Sequence, residues 1–344
     1  VPTIVSGYLQ DAKDRDFTVS VTMKETMLDS LTAGRYVDFD LPEEVQIIGP
    51  VEVKVGSASS ADANNGVIEI DEIDDNDPFR YDDNGDITSS LSAEIPAANN
   101  AARIPGNDTS GFSFLVPGNE NPIGGNNVWS DSKANTITFE IPVTVEAGFS
   151  GDITMNITGA KAGVEDTELV VAKAETPITV ETTTTNVKNG VQTQTVADIT
   201  ITENFAGYID EDCDLTIDVN TLGLAQSMVF ESFDSIEVTD GNLEIGKCDT
   251  RDEMIVIPIE SVSTTASTIE LKGLTMALNR TLPEGGYDLK VSGGAIVQNS
   301  QYNDGEFSGT AVTVEDYVVI TTPADPSSGI NATFTAGQAS YTLN

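Results

Sequence analysis

Apolar and polar residues alternate along two stretches of this chain that resemble each other. Residues 20–42 (SVTMKETMLDSLTAGRYVDFDLP) align without a gap with residues 198–220 (DITITENFAGYIDEDCDLTIDVN), so that Val21 stands over Ile199. Alternation with a period of two residues is typical of a half-buried β-strand, and self-similarity at a long spacing indicates tandem units. The pattern therefore predicts two related β modules and favours a structural role over a catalytic one.

Later parts of the two modules also correspond. Thr136-Ile137 aligns with Thr268-Ile269, and the alternation at 153–157 aligns with that at 287–291. Short alternating stretches separated by Gly, Asn, Asp and Pro predict an all-β fold, with two tandem immunoglobulin-like antiparallel sandwiches and a C-terminal strand tail. The predicted divisions are a first module at 1–185 with an insertion at 71–127, a second module at 186–322, and a linker with a terminal strand segment at 323–344.

Acidic residues are concentrated at the start of the insertion. Carboxylate and amide oxygens beside a glycine turn suit calcium, which takes six to eight oxygen ligands. Asp82-Asp83-Asn84-Gly85-Asp86 lacks the later Glu and the flanking helices of a helix–loop–helix site, and a solvated acidic loop is the alternative interpretation. The sequence predicts these calcium ligands: Asp71, Asp74, Asp75, Asp77, Asp82, Asp83 and Asp86.

The charge balance limits the partners. The chain has 56 acidic and 16 basic residues and a formal net charge of −40. Such a surface repels nucleic acid and anionic membranes and attracts cations. It acts as a solvating coat or lets divalent cations bridge neighbouring copies.

Histidine does not occur in the sequence. This excludes Ser-His-Asp and Cys-His nucleophile systems and ordinary catalytic zinc or copper sites. A pair of carboxylates that hydrolyses sugars passes this filter, but aromatic residues make up only 6% of the chain and Trp129 is its single tryptophan. We therefore expect a protein that is not an enzyme.

The ends of the chain and its cysteines suggest export. The sequence begins with Val1-Pro2 and contains no apolar run near the roughly 20 residues that span a bilayer, so we expect a secreted or surface protein whose signal peptide has been removed. In that setting Cys213 and Cys248 are expected to form a disulfide, the alternative being two buried free thiols. Asn-x-Ser/Thr triplets permit glycosylation at Asn107, Asn156, Asn279 and Asn331.

Two features recur or stand apart within this pattern. Glu25 and Glu203 occupy equivalent positions after the first strand of each module, which predicts a shared role in a turn or at a sheet edge. Residues 323–329 are typical of a linker, and residues 330–344 again alternate like strands. One isolated hairpin is marginal in water, so this tail needs a sheet to pair with, in its own chain or in a neighbour.

The stretch Val196–Ile209 (VADITITENFAGYI) resembles repeats in exported surface proteins of Gram-positive bacteria. Ala332–Asn344 (ATFTAGQASYTLN) is similar to the first hairpin of the stalk domain, also labelled copper amine oxidase N-terminal-like, that such proteins carry. The resemblance implies an extracellular scaffold and no copper chemistry.

These observations predict an extracellular structural protein that polymerises with copies of itself into a filament or surface layer. The tail, or secondarily residues 1–10, is expected to pair with an open sheet edge of a neighbour. A calcium-dependent adhesion or carbohydrate-binding protein that recognises surface glycans is the alternative, and a monomeric spacer is a third reading. The predicted assembly residues alternate along the tail: Ile330, Ala332, Phe334, Tyr341 and Leu343.

Overall fold

The computed structural model of this protein describes residues 1–9, 17–48, 51–57, 66–69, 93–94, 110–116, 134–183, 185–219, 227–251, 254–300, 307–315, 319–321, 332–336 and 339–343. The chain divides into two compact units. Unit 1 comprises Val1–Thr176 and Val297–Gly305, and unit 2 comprises Pro177–Ile296 and Glu306–Asn344.

The fold is all-β, with antiparallel sheets in a sandwich arrangement in each unit. A turn of 3₁₀ helix lies at Ala160–Ala162. The strands of unit 1 are β1 Thr3–Val5, β2 Thr18–Lys24, β3 Tyr36–Asp40, β4 Val45–Ile47, β5 Glu52–Ser57, β6 Gly66–Glu69, β7 Ala93–Glu94, β8 Gly111–Leu115, β9 Asn135–Val145, β10 Gly151–Gly159 and β11 Val164–Glu175.

Unit 2 contributes the remaining strands, of which the last three form a separate sheet. They are β12 Ile178–Thr182, β13 Thr185–Lys188, β14 Gln194–Glu203, β15 Asp214–Val219, β16 Met228–Ser232, β17 Ser235–Asp240, β18 Glu244–Ile245, β19 Asp249–Arg251, β20 Met254–Ser261, β21 Thr268–Leu278, β22 Gly285–Ser292, β23 Phe307–Glu315, β24 Val319–Thr321, β25 Ala332–Ala336 and β26 Ala339–Leu343.

The two units share the strand order of their longer sheet, and their shorter sheets share the central pair, β2–β9 in unit 1 and β14–β21 in unit 2. In unit 1 the sheets run β1–β11–β10–β3–β8–β7 and β2–β9–β5–β6, with β4 also on β9. In unit 2 they run β13–β23–β22–β15–β20–β18 and β12–β14–β21–β16, with β17 also on β21 and β19 on β20. The first strand of each longer sheet is parallel to its neighbour, and the remaining pairs are antiparallel. This correspondence confirms the predicted alignment of β2 with β14, β3 with β15, β9 with β21 and β10 with β22.

The order in which the chain adds strands to the two sheets differs at one point from that of an immunoglobulin domain. After β3, the chain first adds β4 and β5 to β9 and only then returns to β3 through β8. Unit 2 repeats the detour, with β16 and β17 on β21 before β20 on β15. The start of the predicted insertion at 71–127 lies on this detour in unit 1, because residues 58–110 connect β5 to β8, whereas the corresponding connection between β17 and β20 spans only 241–253. The predicted bounds were too wide, because β8 at Gly111–Leu115 belongs to the sheet and its Phe112 and Phe114 are buried.

The cores of the two units contain different kinds of apolar side chain. Unit 1 packs phenylalanines between its sheets: the Phe39 ring stacks on Phe112 at 4.7 Å between centroids, and Phe139 of the other sheet lies 4.7 Å from Phe39 and 5.1 Å from Phe114. The unit 2 core is mainly aliphatic, with Ile217 among its fully buried residues. Because Phe139 meets several rings, its truncation to alanine should cost about 3–5 kcal/mol.

The boundary between the units differs from the predicted one. The chain divides at Thr176/Pro177, nine residues before the predicted division at 185/186. The threonine-rich stretch around the predicted division lies within unit 2, where the chain changes sheet: β12 pairs with β14 in one sheet, and β13 pairs with β23 in the other. Threonines suit β12, because some of its side chains are exposed or half-exposed.

Candidate functional site

The tail forms a three-stranded sheet, here called the C-terminal sheet, with the order β24–β25–β26. The predicted hairpin is therefore not isolated, because Val319–Thr321 supplies a third strand. Its register places the predicted assembly residues on one face: Ala332 is opposite Leu343, and Phe334 is opposite Tyr341. Ile320, which pairs with Phe334, lies on this face too. Ile330 lies outside the described residues.

The two faces of this sheet differ in chemistry. Residues of the first face are apolar or aromatic, and residues of the other face are mostly hydroxyl-bearing: Val319, Thr321, Thr333, Thr335, Ser340 and Thr342. Among the described strands, β24 and β26 each pair on one side only. The register of the C-terminal sheet thus places apolar residue types at alternate positions, and β24 and β26 are its outer strands among the described residues.

The tail is also the longest stretch of the sequence without charge. Residues 326–344 contain no Asp, Glu, Lys or Arg, although the chain as a whole has a net charge of −40. Like charges that face each other across an interface oppose association. The tail is therefore the part of the chain that two copies can bring together with the least repulsion.

The N-terminal strand is already used within its own chain. β1 lies parallel to β11, with Thr3 opposite Lys173 and Val5 opposite Glu175, and the side chains of Ile4 and Val5 are buried. Lys173 Nζ also lies 2.6 Å from Glu175 Oε1, and this hydrogen bond and charge raise the pKa of Lys173. The expectation that residues 1–10 serve as an exchanged strand is thus weakened, because leaving would open a buried position.

β11 and β23 each pair with the first strand of their sheet along only part of their length. β1 covers β11 at 173–175, and β13 covers β23 at 312–315. Over the rest of β11, β10 is the only described strand that pairs with it. The side chains there are exposed, with Leu169 at 40% and Val170 at 46%. Along these lengths, no second described strand pairs with β11 or β23.

The two equivalent glutamates are buried, which corrects the expected turn or edge role. Glu25 Oε2 accepts hydrogen bonds from Asn135 N at 2.7 Å and Asn135 Nδ2 at 2.9 Å, and Oε1 accepts one from Leu31 N at 3.2 Å. Glu203 Oε2 accepts one from Ser267 N at 2.7 Å, but its Oε1 has no hydrogen-bond partner among the described residues. Each carboxylate ties the end of one strand to the start of β9 or β21.

Sequence reasoning missed a segment of unit 1 that comes from far along the chain. We call residues 297–300, the described part of Val297–Gly305, the return segment. The fully buried Asn299 donates from Nδ2 to Thr144 Oγ1 at 2.8 Å and to the carbonyl of Val145 at 2.7 Å, and Thr144 donates in turn to the carbonyl of Tyr8 at 2.6 Å. The segment therefore joins the end of β9 to the N-terminal stretch of unit 1.

A backbone bond strengthens the same junction. Gln298 N donates to the carbonyl of Gly7 at 2.7 Å, and Gly7 N donates to the carbonyl of Val145 at 2.9 Å. Asn299 and Thr144 are 155 residues apart in sequence. Sequence periodicity cannot predict a contact between residues so far apart, so this contact is found only by examining the hydrogen bonds of buried polar groups in the folded chain.

The predicted calcium ligands, Asp71, Asp74, Asp75, Asp77, Asp82, Asp83 and Asp86, lie outside the described residues. Within the described residues, no group of three or more His, Cys, Asp or Glu side chains is arranged to hold a metal ion. Calcium therefore stays a prediction from the sequence.

The cysteines are free thiols, so the expected disulfide is not formed in this structure. Cys213 adjoins β15 and Cys248 adjoins β19, and both strands pair with the same stretch of β20, one on each side of it. Strands separated by a third are about 9.5 Å apart, beyond the roughly 7 Å between Cα atoms that a disulfide spans. Burial raises the pKa of the Cys248 thiol, which keeps it protonated and less reactive.

In the part of the chain that the structure describes, no helix is long and apolar enough to cross a bilayer. No family model matches this chain, so the resemblance to the stalk domain is not confirmed. No curated protein matches its sequence either.

Solved structures with related shapes include surface and pilin proteins. The chain is similar to the C-terminal domain of the antigen I/II polypeptide BspA of Streptococcus agalactiae (8% identity, covering 91% of this chain and 95% of that one, TM-score 0.32). It is also similar to the C-terminal domain of the antigen I/II-family protein AspA of Streptococcus pyogenes (9%, 91% and 95%, 0.34). A third is BcpA, the major pilin subunit of Bacillus cereus (7%, 88% and 70%, 0.25). At these identities and TM-scores the likeness carries no inference about partners or activity.

Proposed function

We propose that this chain is an extracellular structural protein whose copies assemble by strand addition, with β26 of one copy pairing with an open sheet edge of another. The observation that carries the proposal is the C-terminal sheet, in which register gathers apolar residues on one face beside a free strand edge. An apolar sheet face and an unpaired edge are both stabilised by a second protein surface.

Charge supports the choice of the tail as the donor. Two chains of net charge −40 repel each other at low ionic strength, and the Debye length is about 10 Å at 0.1 M salt. A neutral donor strand adds no repulsion of its own when it approaches an acidic edge. Assembly should therefore strengthen as salt rises, until screening is complete.

The uncovered length of β11 is a suitable acceptor within unit 1. It carries Glu165, Asp166 and Glu168 beside the exposed Leu169 and Val170. Charged residues on an edge discourage pairing with an identical acidic edge, whereas an uncharged strand meets no such opposition. The acidic edge thus selects for the neutral tail over a second copy of itself.

Register indicates which backbone groups of β26 are available. The Ala336/Ala339 pair closes a two-residue connection and is therefore a hydrogen-bonded pair, and such pairs alternate along an antiparallel ladder. Ser340 and Thr342 then occupy non-hydrogen-bonded positions, with N–H groups toward the free side. A proline is tolerated at such an edge position, where it removes only the outward donor.

The test compares Thr342→Pro with Thr342→Ala in the full chain. Thr342→Pro should reduce polymers by at least tenfold, because it blocks strand addition, and Thr342→Ala keeps the N–H and should assemble normally. Sedimentation velocity and negative-stain imaging at low and high salt measure the outcome. Polymers of the proline variant equal to those of the parent would contradict the proposal, as would polymers of a chain that lacks residues 323–344.

A further inference from the structure

One Asn-x-Thr triplet lies in an exposed turn with its acceptor side chain already oriented. Asn279, Arg280 and Thr281 are all exposed and follow the end of β21. Asn279 Oδ1 accepts hydrogen bonds from Thr281 N at 3.1 Å and Thr281 Oγ1 at 3.2 Å. These bonds fix the plane of the amide, and Nδ2 of Asn279 has no hydrogen-bond partner among the described residues.

The turn is held firmly at its base. Leu282 N donates to the carbonyl of Asn279 at 3.2 Å, which closes a β-turn. The side chains of Leu278 and Leu282 on either side are buried, and Asn279 N donates to the carbonyl of Ser227 at 2.8 Å. The triplet is therefore presented outward by a rigid base, and an enzyme can reach it without unfolding the sheet.

The other described triplet has the opposite setting. Asn156 lies inside β10, where it is paired with Asp40 on one side and Glu168 on the other. The middle residue of that triplet, Ile157, is buried in the core. A transferase that binds all three residues would have to detach the strand from its sheet.

We propose that, of the two triplets in the described residues, Asn279 is the N-linked glycosylation site that the folded chain offers, in preference to Asn156. The glycosyl donor is an oligosaccharide linked to a polyprenyl pyrophosphate, and the enzyme is an oligosaccharyltransferase. Asn279 Nδ2 attacks C1 of the first sugar, the new bond is C1–N, and the C1–O bond to phosphate breaks. The polyprenyl pyrophosphate leaves, and one amide proton passes to the transferase. This site is independent of the proposed assembly through β26 and is additional to it.

The test uses the folded, purified full chain with a single-subunit oligosaccharyltransferase that accepts Asn-x-Ser/Thr, a lipid-linked oligosaccharide, and an acceptor peptide as positive control. One variant keeps only Asn279 (N107Q, N156Q, N331Q), and its counterpart keeps only Asn156 (N107Q, N279D, N331Q). The aspartate that N279D introduces cannot be glycosylated but retains an Oδ acceptor for the turn. Intact-mass spectrometry should show the glycan on the first variant, and at least tenfold less on the second.

Two substitutions separate recognition from folding. In the Asn279-only chain, Thr281→Val should abolish transfer because the hydroxyl is lost, and Thr281→Ser should preserve it. Thermal midpoints within a few degrees of the parent establish that each variant is folded. An unmodified Asn279 beside a modified control peptide overturns the proposal, as does equal modification of the Asn156-only chain.

Discussion

Unit 1 and unit 2 have the same strand order in their longer sheets, but each unit has one long connection that is short in the other. In unit 1 the connection from β5 to β8 spans 58–110, against 241–253 between β17 and β20. In unit 2 the connection from β22 to β23 spans 293–306, against 160–163 between β10 and β11. The longer sheets therefore keep the same strand order while the connections between their strands differ in length.

A second difference concerns the equivalent buried carboxylates. Both oxygens of Glu25 are hydrogen-bonded, to Asn135 and Leu31, whereas Glu203 uses only the oxygen that faces Ser267. A buried polar group without a partner costs stability. The same position therefore strengthens unit 1 more than unit 2.

The largest expected effect comes from removing these carboxylates. Glu25→Ala leaves several buried donors without an acceptor and should lower the free energy of unfolding by about 3–5 kcal/mol, against about 1–3 kcal/mol for Glu203→Ala. Urea unfolding of the full chain, followed by probes in each unit, measures both.

Glutamine variants serve as the matched controls. In Glu25→Gln an amide NH₂ must face either Leu31 N or the Asn135 donors, which should cost about 1–3 kcal/mol. In Glu203→Gln the NH₂ replaces an oxygen that has no partner, so the loss should stay below about 1 kcal/mol. Equal losses at Glu25 and Glu203 would refute the difference between the units.

A smaller effect is expected from the return segment. Asn299→Ala removes the hydrogen bonds to Thr144 and Val145 and should destabilise unit 1 by about 1–3 kcal/mol, although residue 299 follows most of unit 2 in sequence. Asn299→Asp should cost more, because a carboxylate cannot donate to the carbonyl of Val145. Hydrogen exchange at β9 and at residues 6–9 measures the change, and unaltered protection there would contradict it.

The acidic insertion offers a ligand-dependent test of the same comparison. If residues 71–86 bind calcium with a Kd near 10⁻⁴ M, then 1 mM calcium should stabilise unit 1 by about 1.4 kcal/mol and protect the segment from proteases. Unit 2 has no such insertion and serves as the internal control. An unchanged melting midpoint and unchanged cleavage would reject calcium binding, and glycan binding with and without a chelator would test the adhesion alternative.

The smallest effect concerns the thiols, which occur only in unit 2. Two thiols per chain should react with a disulfide reagent under native conditions, because neither is oxidised in this structure. At pH 8, Cys248 should react several-fold more slowly than an exposed thiol, since burial raises its pKa and reduces the thiolate fraction. Mass mapping of partly labelled protein measures the order, and rapid labelling of Cys248 would contradict it.

Local patterns predicted the fold better than the site. The alternation around Val21 and Phe39 identified strands and their repeats, because a sheet with one buried face imposes that period wherever it occurs. The burial of Glu25 could not be predicted from alternation, since the same pattern is compatible with an exposed carboxylate at a sheet edge and with a buried one that accepts hydrogen bonds from Asn135. The prediction of a disulfide between Cys213 and Cys248 was wrong for a related reason: their spacing in sequence does not show that β20 lies between the strands beside them.

The return segment constrains how this protein can be cut or recombined. A fragment that stops at Thr176 would lack Asn299 and leave the end of β9 without that donor. Removing unit 2 as one continuous piece would remove the return segment too, because Val297–Gly305 lies between the two parts of unit 2 in sequence. Neither unit is a continuous stretch of chain, so gene fusions and natural shuffling must carry both units together, from β1 through β23, as one inheritable block.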